Sequence, residues 1–373
     1  MKPLSVLLCL VLAPVAAVLA QSTPDPAPPA AAEPVLVAVA AADRLLRSHD
    51  FSGVVRIARG DELLFNRAYG KANIQADVDV RLDTPFRIAS ITKLFTAVAV
   101  ARLVEDGVLD YDAVIHAYLP DYAGEAGPVV TVQQLLSHTS GIANSDTVGS
   151  FEEAVVKGIP LYQLPATPAQ IVERHASGAL VNAPGSTFDY NNADYFILGR
   201  IIEQATGETF PVALKRLVLD PAGLTGTGMM DWRALAPVVA TGYLRPDPAG
   251  PYINELPAYH ENWGAAGGMY ATAADIARFA DALVGGDLLE PASVALLLTV
   301  AKDDYAHGLW VAPVSSGGRP DRVAHRPGQV MGANTTLLRY LEDGLTVVML
   351  SNTTTTPMDE TAFALAKMFL RAP

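Results

Sequence analysis

Apolar and polar positions alternate along this chain in patterns whose period changes three times. Residues 35–49 set small and apolar side chains against Asp43, Arg44 and Arg47, which predicts a helix. Residues 53–58 and 62–69 read as strands joined by a hairpin turn at Gly60-Asp61. From Phe86 to Val108 the chain is almost wholly apolar or small, F-R-I-A-S-I-T-K-L-F-T-A-V-A-V-A-R-L-V-E-D-G-V, and reads as one buried helix closing at Gly107. Residues 110–250 carry helical patterns broken by many Pro and Gly, the clearest at 194–205 before Gly207. Another helix is predicted at 272–284, with Thr272 as N-cap and Asp275 in its first turn. After Tyr305 the pattern turns to strands at 307–314, 334–340 and 345–352, and a closing helix at 358–370. Strands at both ends with helices between predict an α/β fold. Its antiparallel sheet is built from N- and C-terminal segments, flanked by helices, with an all-helical insertion at about 110–260.

Composition narrows this picture. The chain has 373 residues, half of them hydrophobic, enough for a large core. Its formal charge of −13 and lack of basic runs argue against nucleic acid and anionic membranes as partners. Lys2 followed by an apolar run at 4–19, interrupted by Pro14, reads as a cleavable signal peptide over residues 1–20. The run is too short for a comfortable membrane span, so no span is expected after cleavage. Residues 21–34 are rich in Pro and Ala and read as a disordered lead-in. The catalytic domain would then occupy 35–373. The one cysteine, Cys9, lies in the signal segment, which removes disulfide and thiol chemistry from the rest. A periplasmic or secreted location follows.

The apolar run at 86–108 holds a lysine, Lys93, three residues after Ser90. On a helix these two share a face, and apolar surroundings would favour a neutral amine able to take the serine proton. The plainer alternative is a lysine that reaches out to water. Tyr190-Asn191-Asn192 precedes the helix at 194: the tyrosine can relay a proton, and the Asn192 amide can bind a substrate carbonyl or hold the lysine. Equally, Asn192 is a ready N-cap and Tyr190 a core aromatic, and a second Tyr-x-Asn stands at Tyr252. Arg326-Pro327-Gly328, preceded by His325, falls on a strand, and Pro there suggests a sheet edge. A surface turn carrying a solvated arginine explains the triplet as well. His138 reads as an anchor between a helix end and the following loop. No G-x-S-x-G elbow, metal spacing or phosphate-cradling loop is present, so no metal or cofactor is expected.

These pieces, in this order, resemble serine hydrolases related to class C β-lactamases and penicillin-binding proteins. F-x-I-x-S-x-T-K matches Phe86 to Lys93, and L-L-x-H-T-S-G matches Leu135 to Gly141. P-G-x-x-F-x-Y-x-N, with a following L-G-x-x-I-E, matches Pro184 to Glu203. The resemblance spans about residues 40–370 and implies the serine β-lactamase-like fold. It also implies Ser90 as acyl-forming nucleophile, Lys93 and Tyr190 sharing the proton transfers, Asn192 orienting substrate, and an oxyanion hole from the Ser90 and Gln329 N–H groups. In the third motif, Arg326 stands where Lys or His is usual, and Pro327 replaces a hydroxyl residue ahead of Gly328. The implied activity is hydrolysis of an ester or amide through an acyl-enzyme, with a small molecule or peptide as substrate. D-Ala-D-Ala carboxypeptidase or β-lactamase activity is the first alternative, with Arg326 expected to grip a substrate carboxylate. A relative that binds without turnover is the second.

Overall fold

The computed structural model describes residues 33–144, 151–234, 238–247 and 249–371, leaving aside the side chains of 33–34 and 151–152. The expected signal segment and nearly all of the lead-in lie outside these residues. The first helix, α1, runs Glu33–Ser48 and so begins inside the expected lead-in.

A six-stranded antiparallel sheet carries the fold. Its strands are β1 (Gly53–Arg59), β2 (Glu62–Tyr69), β3 (Trp310–Ser316), β4 (Arg319–Val330), β5 (Ala333–Tyr340) and β6 (Leu345–Ser351). The spatial order is β3-β4-β5-β6-β1-β2, so the C-terminal hairpins join the N-terminal one through the β6–β1 pair. Every residue of β6 is buried. Its alternation divides the core: Val347 and Met349 pack with Leu46 of α1 and Leu365 and Phe369 of the closing helix α5 (Met358–Phe369). Val348 and Leu350 face the other way, into the larger cluster built on the helices α2 (Thr92–Glu105), α3 (Asn192–Thr206) and α4 (Ala273–Gly285). Period-two side-chain direction makes one strand serve two cores.

The elements between β2 and β3 are the expected helices and loops, with only short strands. α3 is capped by Asn191, whose side chain accepts the Ala193 N–H, and not by Asn192. α4 starts where expected, Thr272 accepting the Asp275 N–H.

Two expectations are corrected. The run from Phe86 is not one helix: Phe86–Arg87 forms a short strand, Ala89–Ile91 a 3₁₀ turn, and α2 begins at Thr92. Phe86 and Arg87 pair with Ala271 and Tyr270, so the segment's first residues follow a tertiary partner instead of their helical period. Ala89 takes φ +48°, a left-handed conformation costing about 1 kcal/mol for a residue with a Cβ, and so presents Ser90 at the turn. The second correction concerns β4, which is an interior strand between β3 and β5. Pairing with β3 stops at Trp310–His325, whereas pairing with β5 continues to Val330. Pro327 thus sits where β4 has an open side within an otherwise paired strand.

Candidate active site

Ser90, in the turn ahead of α2, meets residues from three other parts of the chain. Lys93, one helical turn on, is fully buried and donates from Nζ to Ser90 Oγ (3.2 Å), Asn192 Oδ1 (2.6 Å) and Ala266 O (2.8 Å). The Ala266 carbonyl comes close because α3 packs tightly on this segment: a Cβ at Gly199 would stand 2.8 Å from that of Ala265. Tyr190 Oη lies 2.9 Å from Ser90 Oγ. Arg326, 1% exposed, donates from Nη2 to Tyr190 Oη (2.6 Å), from Nε to Ser90 O (2.6 Å) and from Nη1 to Tyr305 Oη (3.3 Å).

Two buried cations therefore flank one phenol. Burial pushes the Tyr190 hydroxyl up more than any other single influence. Arg326 and Lys93, with hydrogen bonds from Lys93 and Ser90, together outweigh it and bring Tyr190 down to about 8. Burial also drives Tyr195 and Tyr305 upward, so these remain neutral phenols and Tyr190 alone of the three is poised near neutrality.

Further in, His138 Nδ1 lies 2.8 Å from Asp194 Oδ2, and Ser140 donates to Asp194 Oδ1 at 2.6 Å. Burial pushes the imidazole down, with Lys93 and Arg326 adding to that, and pushes the carboxyl up. The pair is a neutral bolt tying the loop after Leu136 to the first turn of α3. The His138 ring packs on Tyr190 with centroids 4.5 Å apart, and the Asn191 N–H donates to His138 Nδ1 at 3.3 Å. His138 thus has the anchoring place expected of it.

Strand β4 passes close under the nucleophile. A Cβ at Gly328 would stand 2.9 Å from Ser90 N and 2.7 Å from Ile88 O, so only glycine allows this approach. Thr335 Oγ1, opposite Gly328, donates to Ile88 O at 3.1 Å and fastens β5 to the same turn. Arg326 and Gly328 share the face toward Ser90; His325 points the other way, with Nε2 3.0 Å from Asp359 Oδ1 and 3.1 Å from Thr336 Oγ1.

A pocket of about 360 Å³ opens over Ser90 and Tyr190, bounded by Trp310, Pro327, Gly328, Gln329, Asn334, Met358 and Asp359. A larger cavity, about 890 Å³, lies against Phe196, Gly199 and Glu203 of α3 and reaches none of Ser90, Lys93 or Tyr190.

Ser90, Lys93, Tyr190, Asn192, Arg326, Gly328 and Gln329 are thus all within one locality; Asn192 holds the lysine, one of the two uses expected of it, but Arg326 occupies a different place from the one expected. Arg326 is sealed beneath the pocket, with three of its five N–H groups on Ser90, Tyr190 and Tyr305, and its burial keeps it from a substrate carboxylate. Asn192 gives its oxygen to Lys93, and its nitrogen lies 3.4 Å from Tyr162 Oη. The second Tyr-x-Asn is elsewhere: Tyr252 donates to exposed Asp50 at 3.1 Å. The sequence reading missed Trp310, Tyr305 and Asp359. Tyr305 and Trp310 flank the expected strand start, but only the closed fold turns them toward Tyr190. Among the described residues no group of side chains is arranged to hold a metal, and no helix is long and apolar enough to cross a membrane.

Among known proteins, the chain is 37% identical to Esterase EstB of Burkholderia gladioli over 197 residues, covering half of each chain. It is 29% identical to the Bacillus subtilis putative penicillin-binding protein PbpX over 273 residues, 72% of this chain and 64% of that one. The matched part thus spans about half of the esterase and just under two thirds of PbpX. The crystal structure of a penicillin-binding protein from Bacillus halodurans superposes with a TM-score of 0.74 at 28% identity, covering 87% of this chain and 97% of that one. The Beta-lactamase family profile matches residues 38–368, and this chain belongs to that family.

Proposed function

We propose that this protein is a serine hydrolase that cleaves an ester or amide through an acyl-enzyme on Ser90. The observation that carries this is the 2.9 Å contact between Tyr190 Oη and Ser90 Oγ, with Lys93 and Arg326 on the tyrosine's other sides. Such an arrangement favours the phenolate as general base. The oxygens of Ser90, Asn192 and Ala266, with that of Tyr190 besides, suit an ammonium at Lys93 Nζ, which only donates, better than the neutral amine first expected of it. Lys93 then serves as the fixed positive charge that holds both oxygens.

In the forward step the Ser90 Oγ–H proton passes to Tyr190 while Oγ bonds the substrate carbonyl carbon. The carbonyl oxygen becomes an anion facing the N–H groups of Ser90 and Gln329. Tyr190 returns the proton to the leaving alcohol or amine as its bond to carbon breaks. Water then gives a proton to Tyr190 and attacks the acyl ester, and the proton goes back to Ser90 as the acid leaves.

Relatives named as an esterase and a putative penicillin-binding protein support a hydrolase of this general kind. D,D-carboxypeptidase and β-lactamase activities, which need a substrate carboxylate to be held, are disfavoured. Arg326 is enclosed, and Pro327 has neither hydroxyl nor N–H. A non-turnover role is disfavoured by the complete acid–base set around Ser90. The apolar run after Lys2 supports export, which fractionation of the expressing cell tests.

The test is a panel of p-nitrophenyl esters, amino acid amides, D-Ala-D-Ala peptides and a chromogenic cephalosporin, with fluorophosphonate labelling. Esters or amides should turn over best, and Ser90→Ala should lower that rate by roughly 10³-fold or more and abolish labelling. Labelling that persists in Ser90→Ala refutes the nucleophile.

A further inference from the structure

Asp359 stands in the wall of the catalytic pocket, on the second residue of α5. The pocket's wall has no lysine or arginine, and Asp359 is the one carboxylate among its described residues. The rest is aromatic, apolar or amide: Trp310, Pro327, Met358, Gln329 and Asn334. The cation that sequence spacing placed here, Arg326, lies behind the aromatic wall, its guanidinium carbon 5.4 Å from the ring centres of both Tyr190 and Trp310.

His325, Thr336 and the start of α5 bear on the Asp359 charge. Burial raises its carboxyl, but the hydrogen bond and charge of His325, with a hydrogen bond from Thr336, more than reverse that, so Asp359 is held ionised. The start of α5 adds a helix end worth about half a positive charge, which a full carboxylate outweighs. His325 meets Asp359 at Oδ1, at 3.0 Å, and 47% of the Asp359 side chain remains exposed. Asp359 is thus both anchored and open toward the pocket.

We infer that Asp359 is the receptor for a protonated amine, so that this enzyme selects esters or amides bearing an ammonium group over those bearing a carboxylate. This rests on the hydrolase reading above and adds the substrate class to it. The Trp310 ring borders the same opening. A carboxylate-bearing substrate would meet Asp359 with no lysine or arginine in the pocket wall to pair with instead.

The test compares kcat/KM for alanine p-nitroanilide (free amine), its N-acetyl form (neutral) and its N-succinyl form (carboxylate), each as both enantiomers. An aminoethyl acetate arm places the amine in the leaving group instead. Wild type should prefer an amine-bearing substrate over its neutral counterpart. Asp359→Asn should lower that preference roughly tenfold, as expected for a half-exposed charged hydrogen bond, and Asp359→Glu should restore part of it. Asp359→Asn should also raise the relative rate on the N-succinyl form. A lowered melting temperature in Asp359→Asn with an unchanged preference would make Asp359 only an anchor for α5, and overturn the inference. So would an enzyme that labels at Ser90 yet prefers the neutral anilide. Loss of labelling at Ser90 in wild type would instead refute the hydrolase reading itself, and this inference with it.

Discussion

The floor of the pocket and its outer wall treat charge in opposite ways. On the floor, Lys93 and Arg326 are 0% and 1% exposed, and their donors end on the protein's own oxygens. On the wall, Asp359 is paired with His325 yet keeps nearly half its side chain open. A buried cation left unpaired costs several kcal/mol, so the fold must pair it, and a group paired and sealed beneath the surface is out of a ligand's reach. Its influence passes instead through its partners, here by bringing Tyr190 down to about 8. A half-exposed charge is not sealed in this way and stays available. Floor charges should therefore govern rate and pH dependence, and wall charges the choice of substrate.

The sharpest break of that division comes from Lys93→Met. It should reduce turnover of any substrate by roughly 10³-fold, since both Ser90 Oγ and Tyr190 lose their fixed cation. A stopped-flow acylation assay with a p-nitrophenyl ester measures it, and a change only in KM would contradict the assignment. Gly328→Ala should come next, at roughly 10²-fold in kcat, because its methyl group meets backbone at Ser90 N and Ile88 O where an oxyanion donor is proposed. Soaking the variant with a fluorophosphonate and timing its labelling reads this directly.

Arg326→Met should lower neutral-pH activity by roughly tenfold while moving the pH profile. Wild-type kcat/KM should rise with pH and level off above about 8, because Tyr190 becomes the base only on losing its proton. Removing Arg326 takes away the largest influence holding Tyr190 down, so the rise should move to higher pH by at least about one unit. An unshifted profile would place Arg326 outside the chemistry. His325→Ala, on the opposite face of β4, should change neutral-ester turnover by less than about threefold. A larger loss than that of Arg326→Met would invert the two faces.

Much of this was legible beforehand. Local rules located α1, the β1–β2 hairpin, α4 and α5, because each depends on apolar period, a turn or a cap within its own segment. Ser90, Lys93, Tyr190 and Arg326 are also singled out by the sequence, as is the strand that carries Arg326. The run from Phe86 was misread since its period is helical throughout. What breaks it is pairing of Phe86 and Arg87 with a strand almost two hundred residues away. The edge expected at Pro327 was half right: β3 ends early, an event that no residue in β4 encodes.

By itself the amino-acid sequence determined which side chains are candidates for the proposed chemistry, their order, and the faces they share along one element. These follow from covalent spacing and the periods of helix and strand. Tertiary structure decided how each charge is used. Whether Arg326 reaches substrate or Tyr190, whether Asn192 holds substrate or Lys93, and whether Asp359 faces a pocket or water depend on which distant groups pack beside them. Burial and partner oxygens set the protonation and free valency of a charge, and these come only from segments brought together by the closed sheet and the helices packed on it.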